Sequence, residues 1–502
     1  MNAHAKYKKF VDHSRKLRHL HLTTEFLDWD QKVLMPTRAV VGRAEQIAVL
    51  SELTHRQFTD QWFIDLVADL NASDEIQGEA KLNVSQVARF LSREMRVSPE
   101  LVRARTEAAS LTHDRWLEAR KANSFSVVAK ELEQLLQLTI EYGQARAEPG
   151  ECVYDALIDI HEPEGKSAEI EILFAALAKR LTALLQQVVT SETFARGREK
   201  VDFPLSKEQQ KQFFLAVLAK MEFDLNAGRL DETVHPFCAT VGMHDVRLTT
   251  RYTEGFFSAL LALIHEAGHG LYEQGLRGDS FGLPFGEACS LGIHESQSLL
   301  WEKHIGRSRE FWQGMLPALT AVTGTRAGGF NPETIYRAIN WVEPSLNRVN
   351  ADEVTYSLHV IIRFELEQQL CAGKIPVREL PQAWNEKYEK YLQISPADEL
   401  RGVLQDTHWY GGAFGYFPTY TLGAIYAAEL YEHFLKTASV NSSVNSKESD
   451  YQALHQWLSE KIYNAGRSMT SSQLMTQILG RAPTSEALIE HLTTRYSELY
   501  GF

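Results

Sequence analysis

The sequence has few cysteines, prolines and glycines, and it lacks a long apolar run. Only four of its 502 residues are cysteines, and they lie far apart without forming a Cys-x-x-Cys pair. A disulfide framework is therefore not expected, and a reducing compartment such as the cytoplasm is favoured. The N-terminus carries charges with no apolar stretch behind them, unlike a secretory signal. The longest apolar run, residues 255–264, is too short to cross a bilayer, so no membrane association is expected.

Basic charge is also scarce. The chain has 52 Lys and Arg against 65 Asp and Glu, which gives a formal net charge of -13. Proteins that bind nucleic acid usually present a basic face, so nucleic acid is not expected among the partners. A hydrophobic content of 44% and a charged content of 23% are ordinary for a globular chain.

With only 15 prolines and 30 glycines, the chain has room for long helices. Apolar residues between positions 170 and 188 follow the three-then-four spacing of an amphipathic helix, and residues 129–143 and 426–435 show similar stripes. No strand–helix alternation and no glycine-rich loop after a strand is present, which disfavours a doubly wound nucleotide-binding fold. The sequence therefore predicts a mainly α protein.

Two segments interrupt this helical pattern. Residues 235–252 are rich in Thr and Val around a turn at Gly242, which predicts a short β-ribbon. Residues 437–450 are polar and low in complexity, which predicts an exposed loop. No linker divides the chain, so we expect residues 1–502 to form a single large helical domain whose N-terminal helices form a separate layer or a lid.

Residues 263–272 read LIHEAGHGLY and contain the motif H-E-x-x-H. In a helix, His265 and His269 project from the same face about one turn apart. Two imidazoles so placed can bind one zinc ion, with Glu266 as the general base for the attacking water. The apolar residues around the motif predict a buried helix, in which an unpaired charge would be costly. The alternative interpretation is two core histidines beside an unrelated glutamate.

A catalytic zinc ion normally has three protein ligands and one open position. Two histidines with one glutamate are a common set, and Glu287, Glu295 and Glu302 all follow the motif. Glu295 lies in a run, residues 290–301, that reads as a second helix able to pack across the first. Spacing alone favours Glu295 only modestly over Glu287, and His294 is a competing ligand.

Six short motifs lie between residues 235 and 409. They are HPF at 235–237, D-x-R-x-T at 245–249, HEAGH at 265–269, HESQ at 294–297, R-x-x-A-D at 348–352 and G-x-x-Q-D-x-H-W at 402–409. In this order they resemble the carboxypeptidase Taq family of zinc metallocarboxypeptidases. Asn347 replaces the isoleucine that usually precedes the R-x-x-A-D motif, a departure that touches no proposed ligand.

The resemblance implies that Glu295 is the third zinc ligand. It implies one Zn²⁺ per chain, which other divalent ions such as Co²⁺ can replace, and a helical fold like that of neurolysin and angiotensin-converting enzyme, with the site deep in a groove between two halves. Family members are usually homodimers that remove C-terminal residues with broad preference, and they act poorly on a C-terminal proline.

Peptide hydrolysis also needs donors that stabilise the oxyanion of the tetrahedral intermediate. His408 and Tyr416 are candidates, because a Gly-Tyr element after a histidine resembles the oxyanion tyrosine of related peptidases. Tyr420 is the runner-up and a candidate substrate contact, although either tyrosine can instead line the core with a satisfied hydroxyl. We expect His235 near the substrate without being a ligand, and Asp406 as a residue that orients a histidine or an arginine.

An exopeptidase must recognise the free C-terminal carboxylate of its substrate, and the planar guanidinium of arginine binds a carboxylate with two hydrogen bonds. Arg348 is the first candidate and Arg247 the second. For either arginine the alternative is a buried structural ion pair, for instance with Asp352 or Asp245.

Three functions follow from these residues. The leading one is a zinc carboxypeptidase that acts on peptides with a free C-terminus. The second keeps the same zinc site but acts as an endo-oligopeptidase or a dipeptidase. The third is a binding or scaffold protein that retains only the helical shell, and the intact H-E-x-x-H motif argues against it.

Overall fold

The computed structural model describes residues 2–198, 201, 205–253, 255–324, 331–441 and 451–502. The helices in these ranges are α1 (Ala3–Val33), α2 (Val40–Phe58), α3 (Gln61–Ala72), α4 (Gly78–Glu94), α5 (Pro99–Ala122), α6 (Ala129–Arg146), α7 (Val153–Ile158), α8 (Ser167–Val189), α9 (Glu192–Arg196), α10 (Lys207–Lys220), α11 (Phe256–Gly275), α12 (Leu291–Leu299), α13 (Arg309–Thr323), α14 (Pro332–Ile339), α15 (Tyr356–Cys371), α16 (Leu380–Leu392), α17 (Pro418–Asn441), α18 (Tyr451–Lys461), α19 (Ser471–Leu479) and α20 (Glu486–Tyr500). A π-helical turn, Leu300–Gly306, continues α12.

The prediction of a mainly α fold is confirmed, and the three apolar stripes lie in α6, α8 and α17. By length and composition alone, α8 is apolar enough to cross a membrane. Its stripe instead packs into the main core through residues such as Phe174, Leu181 and Val188. The apolar content of α8 is therefore explained by its place inside the protein.

The predicted β-ribbon is present as a hairpin of two antiparallel strands, β2 (Cys238–Gly242) and β3 (Asp245–Thr250). A further strand, β1 (Gly228–Glu232), pairs in parallel with the other edge of β3. The sequence did not predict β1, because Gly-Arg-Leu-Asp-Glu has no β-branched or aromatic residue and no alternation. The result is a three-stranded sheet of order β1-β3-β2.

The predicted loop at residues 437–450 is wrong at its start, because α17 continues to Asn441. The Thr437 hydroxyl donates to the carbonyl of His433 at 2.9 Å, so this polar residue satisfies its hydrogen bonds inside the helix. Residues 442–450 lie outside the described residues.

Most buried apolar side chains, from Val97 to Tyr500, form one main core. The N-terminal helices α1, α3 and α4 form a second, smaller core that also includes Leu283. In a third cluster Trp29 of α1 packs against Ala239 and Val241 of β2. The sheet thus has α1 on one face and α11 on the other. The role of the N-terminal helices as a lid stays a prediction.

Three helices approach one another closely where two of them carry glycine. A Cβ added to Gly268 of α11 would lie 2.7 Å from the backbone oxygen of Gln297 in α12. A Cβ added to Gly423 of α17 would lie 2.7 Å from both Cβ and Cγ of Glu295. These glycines let α12 pass between α11 and α17 and fix the position of Glu295.

Gly423→Ala is expected to lower the thermal melting temperature, because overpacking a tight contact costs about 1–3 kcal/mol. Gly314→Ala is the matched control, since Gly314 is also helical and a Cβ there would have no neighbour within 4 Å. The control is expected to melt at or above the wild-type temperature. Equal melting of the two variants would contradict the close packing of α12 and α17.

Candidate metal centre

The buried helix α11 presents His265 and His269 on the same face, with ring centroids 4.9 Å apart. Glu295 reaches them from α12, with Oε2 3.7 Å from His265 Nε2 and 3.5 Å from His269 Nε2. In the part of the chain that the structure describes, these are the only three His, Cys, Asp or Glu residues whose ligand atoms lie within 4.8 Å of one another as a group. The structure thus brings together the three residues predicted as metal ligands.

The other ring nitrogens of the two histidines have their own partners. His265 Nδ1 lies 3.0 Å from Glu302 Oε2, and His269 Nδ1 lies 3.1 Å from the backbone oxygen of His294. Donation from Nδ1 leaves Nε2 of each ring unprotonated and available to a metal. Tetrahedral ligands at 2.0–2.1 Å from zinc lie about 3.3 Å apart, so spacings of 3.5 and 3.7 Å fit such an ion.

Glu302, one of the three candidate third ligands, lies on the π-helical turn behind His265. Its Oε1 is 2.7 Å from Lys303 Nζ and 3.6 Å from Arg307 Nη2. Burial by itself would raise the pKa of Glu302, but Lys303, His265 and Arg307 outweigh it and hold the pKa well below its usual range. The carboxylate is therefore a charged acceptor for His265 and orients that ring.

The two remaining ligand candidates point elsewhere. Glu287 pairs with Arg467 at 3.2 Å. His294 Nε2 lies 2.9 Å from Glu273 Oε1, and its ring stacks on His269 with centroids 4.5 Å apart. Neither side chain joins the three-residue cluster.

Glu266 follows the first histidine and is buried beside the cluster. The backbone of Cys238 in β2 acts to lower the pKa of this carboxyl group. Burial and the charge of Glu295 raise the pKa of Glu266 to about 7, although His265 acts in the opposite direction. Glu266 thus lies close enough to both β2 and Glu295 for each to affect its pKa.

His408, Tyr416 and Tyr420 form a cluster of rings. The rings of Tyr416 and Tyr420 are 5.4 Å apart, and His408 Nε2 lies 3.3 Å from the Tyr420 hydroxyl. Burial first, and then the charge of Glu295, raise the pKa of Tyr416. Tyr416 is thus near enough to Glu295 to be affected by its charge, and His161 packs edge-on against Tyr416 at 4.9 Å.

Arg348 is buried and paired, although not with Asp352. Its Nε and Nη2 donate to Asp406 Oδ1 at 3.2 and 2.9 Å, and its guanidinium lies over the Tyr420 ring at 4.9 Å. Arg363 of α15 pairs with the other oxygen of Asp406 at 2.6 Å. One carboxylate thus serves two buried arginines, as predicted for a residue that orients an arginine.

Arg247 lies across the sheet from α11. It donates to both oxygens of Asp245, at 2.9 and 2.8 Å, and stacks on Trp29 of α1 at 4.2 Å. Its strand neighbours Val246 and Leu248 point the other way, into the main core. His235 is exposed, a few residues before β2. A substrate-binding role for Arg247 and His235 stays a prediction.

The sequence analysis missed Arg363 and Glu367, both fully buried in α15. A signal was available, because Arg363 and Glu367 are four residues apart and are separated from one another by Phe364 and Leu366 in VIIRFELEQQL. A buried charge needs a partner, so charges in such a run indicate contacts with another polar element. Tyr356 lies at the start of α15, and burial and the charge of Glu295 raise its pKa. Nothing in the sequence around Tyr356 indicated that it lies near the centre.

The protein has a helical shell, a buried helix that carries two histidines and a glutamate, and a further carboxylate from the next helix. This combination defines a metallopeptidase. The family described as carboxypeptidase Taq (M32) metallopeptidase matches residues 9–496. The chain is 36% identical to thermostable carboxypeptidase 1 of Thermus thermophilus and 33% identical to carboxypeptidase 1 of Bacillus subtilis, in each case over 100% of both chains. The crystal structure of the M32 carboxypeptidase from Deinococcus radiodurans is similar, with a TM-score of 0.94 and 34% identity over 99% of this chain and 100% of that one.

The chain therefore belongs to the carboxypeptidase Taq (M32) family, and it is a metallocarboxypeptidase that uses a metal cofactor. The family predicted from the six motifs is confirmed. The prediction of an enzyme rather than a scaffold is confirmed as well.

Glu302→Gln is expected to weaken metal binding about 10- to 100-fold, because outer carboxylates that orient metal-binding histidines typically contribute that much. The measurement is competition for the metal with a chromophoric chelator. Glu287→Gln, which alters a partly exposed carboxylate paired with Arg467, is the control and should bind as the wild type does. Unchanged affinity in Glu302→Gln would show that Glu302 does not support the metal ligands.

Proposed function

We propose that the protein is a zinc-dependent carboxypeptidase with broad residue preference and poor action on a C-terminal proline. The observation that carries the proposal is the convergence of His265 Nε2, His269 Nε2 and Glu295 Oε2 next to the Glu266 carboxylate. Two imidazoles and one carboxylate suit zinc, and Co²⁺ accepts the same set. The broad preference and the weakness on proline rest on the family resemblance.

A zinc ion held by these residues would polarise the scissile carbonyl and make a water molecule more acidic. Glu266 accepts the proton of the attacking water and passes it to the leaving amine. The charge of Glu295 acts on Tyr416, and the His408 ring lies 5.5 Å from the Tyr416 ring, which supports these two residues as donors to the developing oxyanion.

Recognition of the terminal carboxylate is supported by an unbalanced charge. Arg348 and Arg363 share Asp406, which leaves one positive charge in a buried cluster without a carboxylate partner in the described chain. Arg363 is fully buried, whereas Arg348 Nη1 has no hydrogen-bond partner among the described residues. A substrate carboxylate at Arg348 would balance the charge, with Tyr420 beside it. Arg247 ranks second, because its ion pair with Asp245 leaves it less available to a substrate carboxylate.

Two further proposals concern the state of the enzyme. We infer a cytoplasmic location, supported by four free cysteines and no disulfide among them. We infer a homodimer from the family resemblance alone. The competing activity is an endo-oligopeptidase with the same centre, and the free carboxylate of the substrate separates the two.

Glu266→Gln is expected to retain one zinc per chain and to lose about 10²–10⁴-fold in kcat, because the amide cannot accept the proton of the water. Zinc content by atomic emission and peptide turnover are measured on the same sample. His269→Ala is the paired variant and should lose stoichiometric zinc. Turnover of Glu266→Gln within a few fold of wild type would refute the general-base role, and full zinc in His269→Ala would refute the ligand assignment.

Arg348→Ala is expected to lower kcat/KM on free peptides about 10- to 150-fold, since a charge-assisted contact is worth about 1.5–3 kcal/mol. Cleavage of the same peptides with amidated C-termini, already poor, should barely change, and zinc content should stay constant. Equal losses on both substrates would show that Arg348 is structural and move the role to Arg247. Wild-type enzyme that cuts amidated peptides as fast as free ones would favour the oligopeptidase.

A further inference from the structure

Two buried charges on one face of α15 hold the segment that carries the candidate oxyanion donors. Arg363 and Glu367 lie four residues apart, so their side chains leave the helix on the same side. Arg363 donates to Asp406 Oδ2 at 2.6 Å and to Gln405 Oε1 at 3.0 Å. Glu367 lies further along and accepts from Trp409 Nε1 at 2.7 Å and from the backbone N–H of Gly415 at 3.0 Å.

The segment between these contacts has little structure of its own. Residues 405–416 contain three glycines and only one short 3₁₀ turn, Trp409–Gly411. Gly415 has φ +80°, and a Cβ there would lie 2.6 Å from the backbone carbon of Leu157, so the chain passes against α7 in a conformation that favours glycine. Tyr416 follows at once, and the path of the backbone at Gly415 therefore sets where its ring lies.

We propose that Glu367 is a positioning residue for Tyr416, and that it acts with Arg363 as a clamp on residues 405–416. The inference rests on the proposed function, because it takes Tyr416 as an oxyanion donor. Glu367 does not touch the substrate. It acts by fixing the backbone that carries Tyr416.

The partners of Glu367 fit this role. Besides Trp409 and Gly415, its carboxylate accepts the Tyr154 hydroxyl at 2.7 Å, and no cation lies within ion-pair distance among the described residues. Burial raises the pKa of Glu367 to about 7, and the three donors oppose that rise. A buried carboxylate without a cation is a costly way to fill space, so its use here indicates a requirement for directed acceptors.

Glu367→Gln keeps the shape but replaces one acceptor with a donor, which cannot serve both Trp409 and Gly415. Its kcat is expected to fall about 10- to 100-fold, because a displacement near 1 Å can cost on the order of 10²-fold. KM and zinc content should be little changed. Tyr154→Phe is the matched control, since it removes the one donor that does not belong to residues 405–416, and it should keep a near-wild-type kcat at a similar loss of thermal stability.

A double variant that combines Glu367→Gln with Tyr416→Phe tests whether Glu367 affects kcat through Tyr416. If Glu367 acts through Tyr416, the double variant is no slower than Tyr416→Phe alone, because the effects of coupled residues do not add. Multiplied losses, or a wild-type kcat in Glu367→Gln, would overturn the inference. If Glu367→Gln does not fold, Trp409→Phe removes one loop donor only, and an unchanged kcat there would overturn it too. A wild-type kcat in Tyr416→Phe is a separate result that refutes the oxyanion role in the proposed function.

Discussion

The tight passage of α12 between α11 and α17 is the constraint on which the centre depends. Gly268 and Gly423 remove the side chains that would otherwise hold these helices apart. Glu295 consequently reaches both histidines of α11, although it comes from a different helix. Because protein interiors are close-packed, a shift of α12 by the size of one methyl group would move this carboxylate away from the histidines.

Several buried carboxylates around the centre have charged or polar partners. Glu302 has Lys303, Arg307 and the His265 ring, while Glu273 has His294 and the Thr240 hydroxyl. Arg348 and Arg363 differ, because they share the one carboxylate of Asp406. Unbalanced charge is costly in a low-dielectric interior, which supports our proposal that an anionic group of the substrate binds at this pair.

Sequence reasoning gave the helical class, the hairpin and the three clustered ligand candidates, because each depends on local spacing or on a short motif. It left Glu287, Glu295 and Glu302 open on spacing alone, since the packing angle of α12 on α11 decides which carboxylate faces Nε2. Glu302 lies seven residues after Glu295 on the same face. It contacts Nδ1 of His265, whereas Glu295 faces Nε2. The pairing of Arg348 with Asp406 was not specified for the same reason, because the two residues are close in space and distant in sequence.

The central claim is that His265, His269 and Glu295 bind one zinc ion beside Glu266. Anomalous diffraction from crystals of the zinc-loaded protein, measured on both sides of the zinc absorption edge, tests it most directly. We expect a single strong peak about 2.0–2.2 Å from His265 Nε2, His269 Nε2 and a carboxylate oxygen of Glu295. A peak bound by Glu302, Glu287 or His294 in place of Glu295, or no peak between α11 and α12, would contradict it.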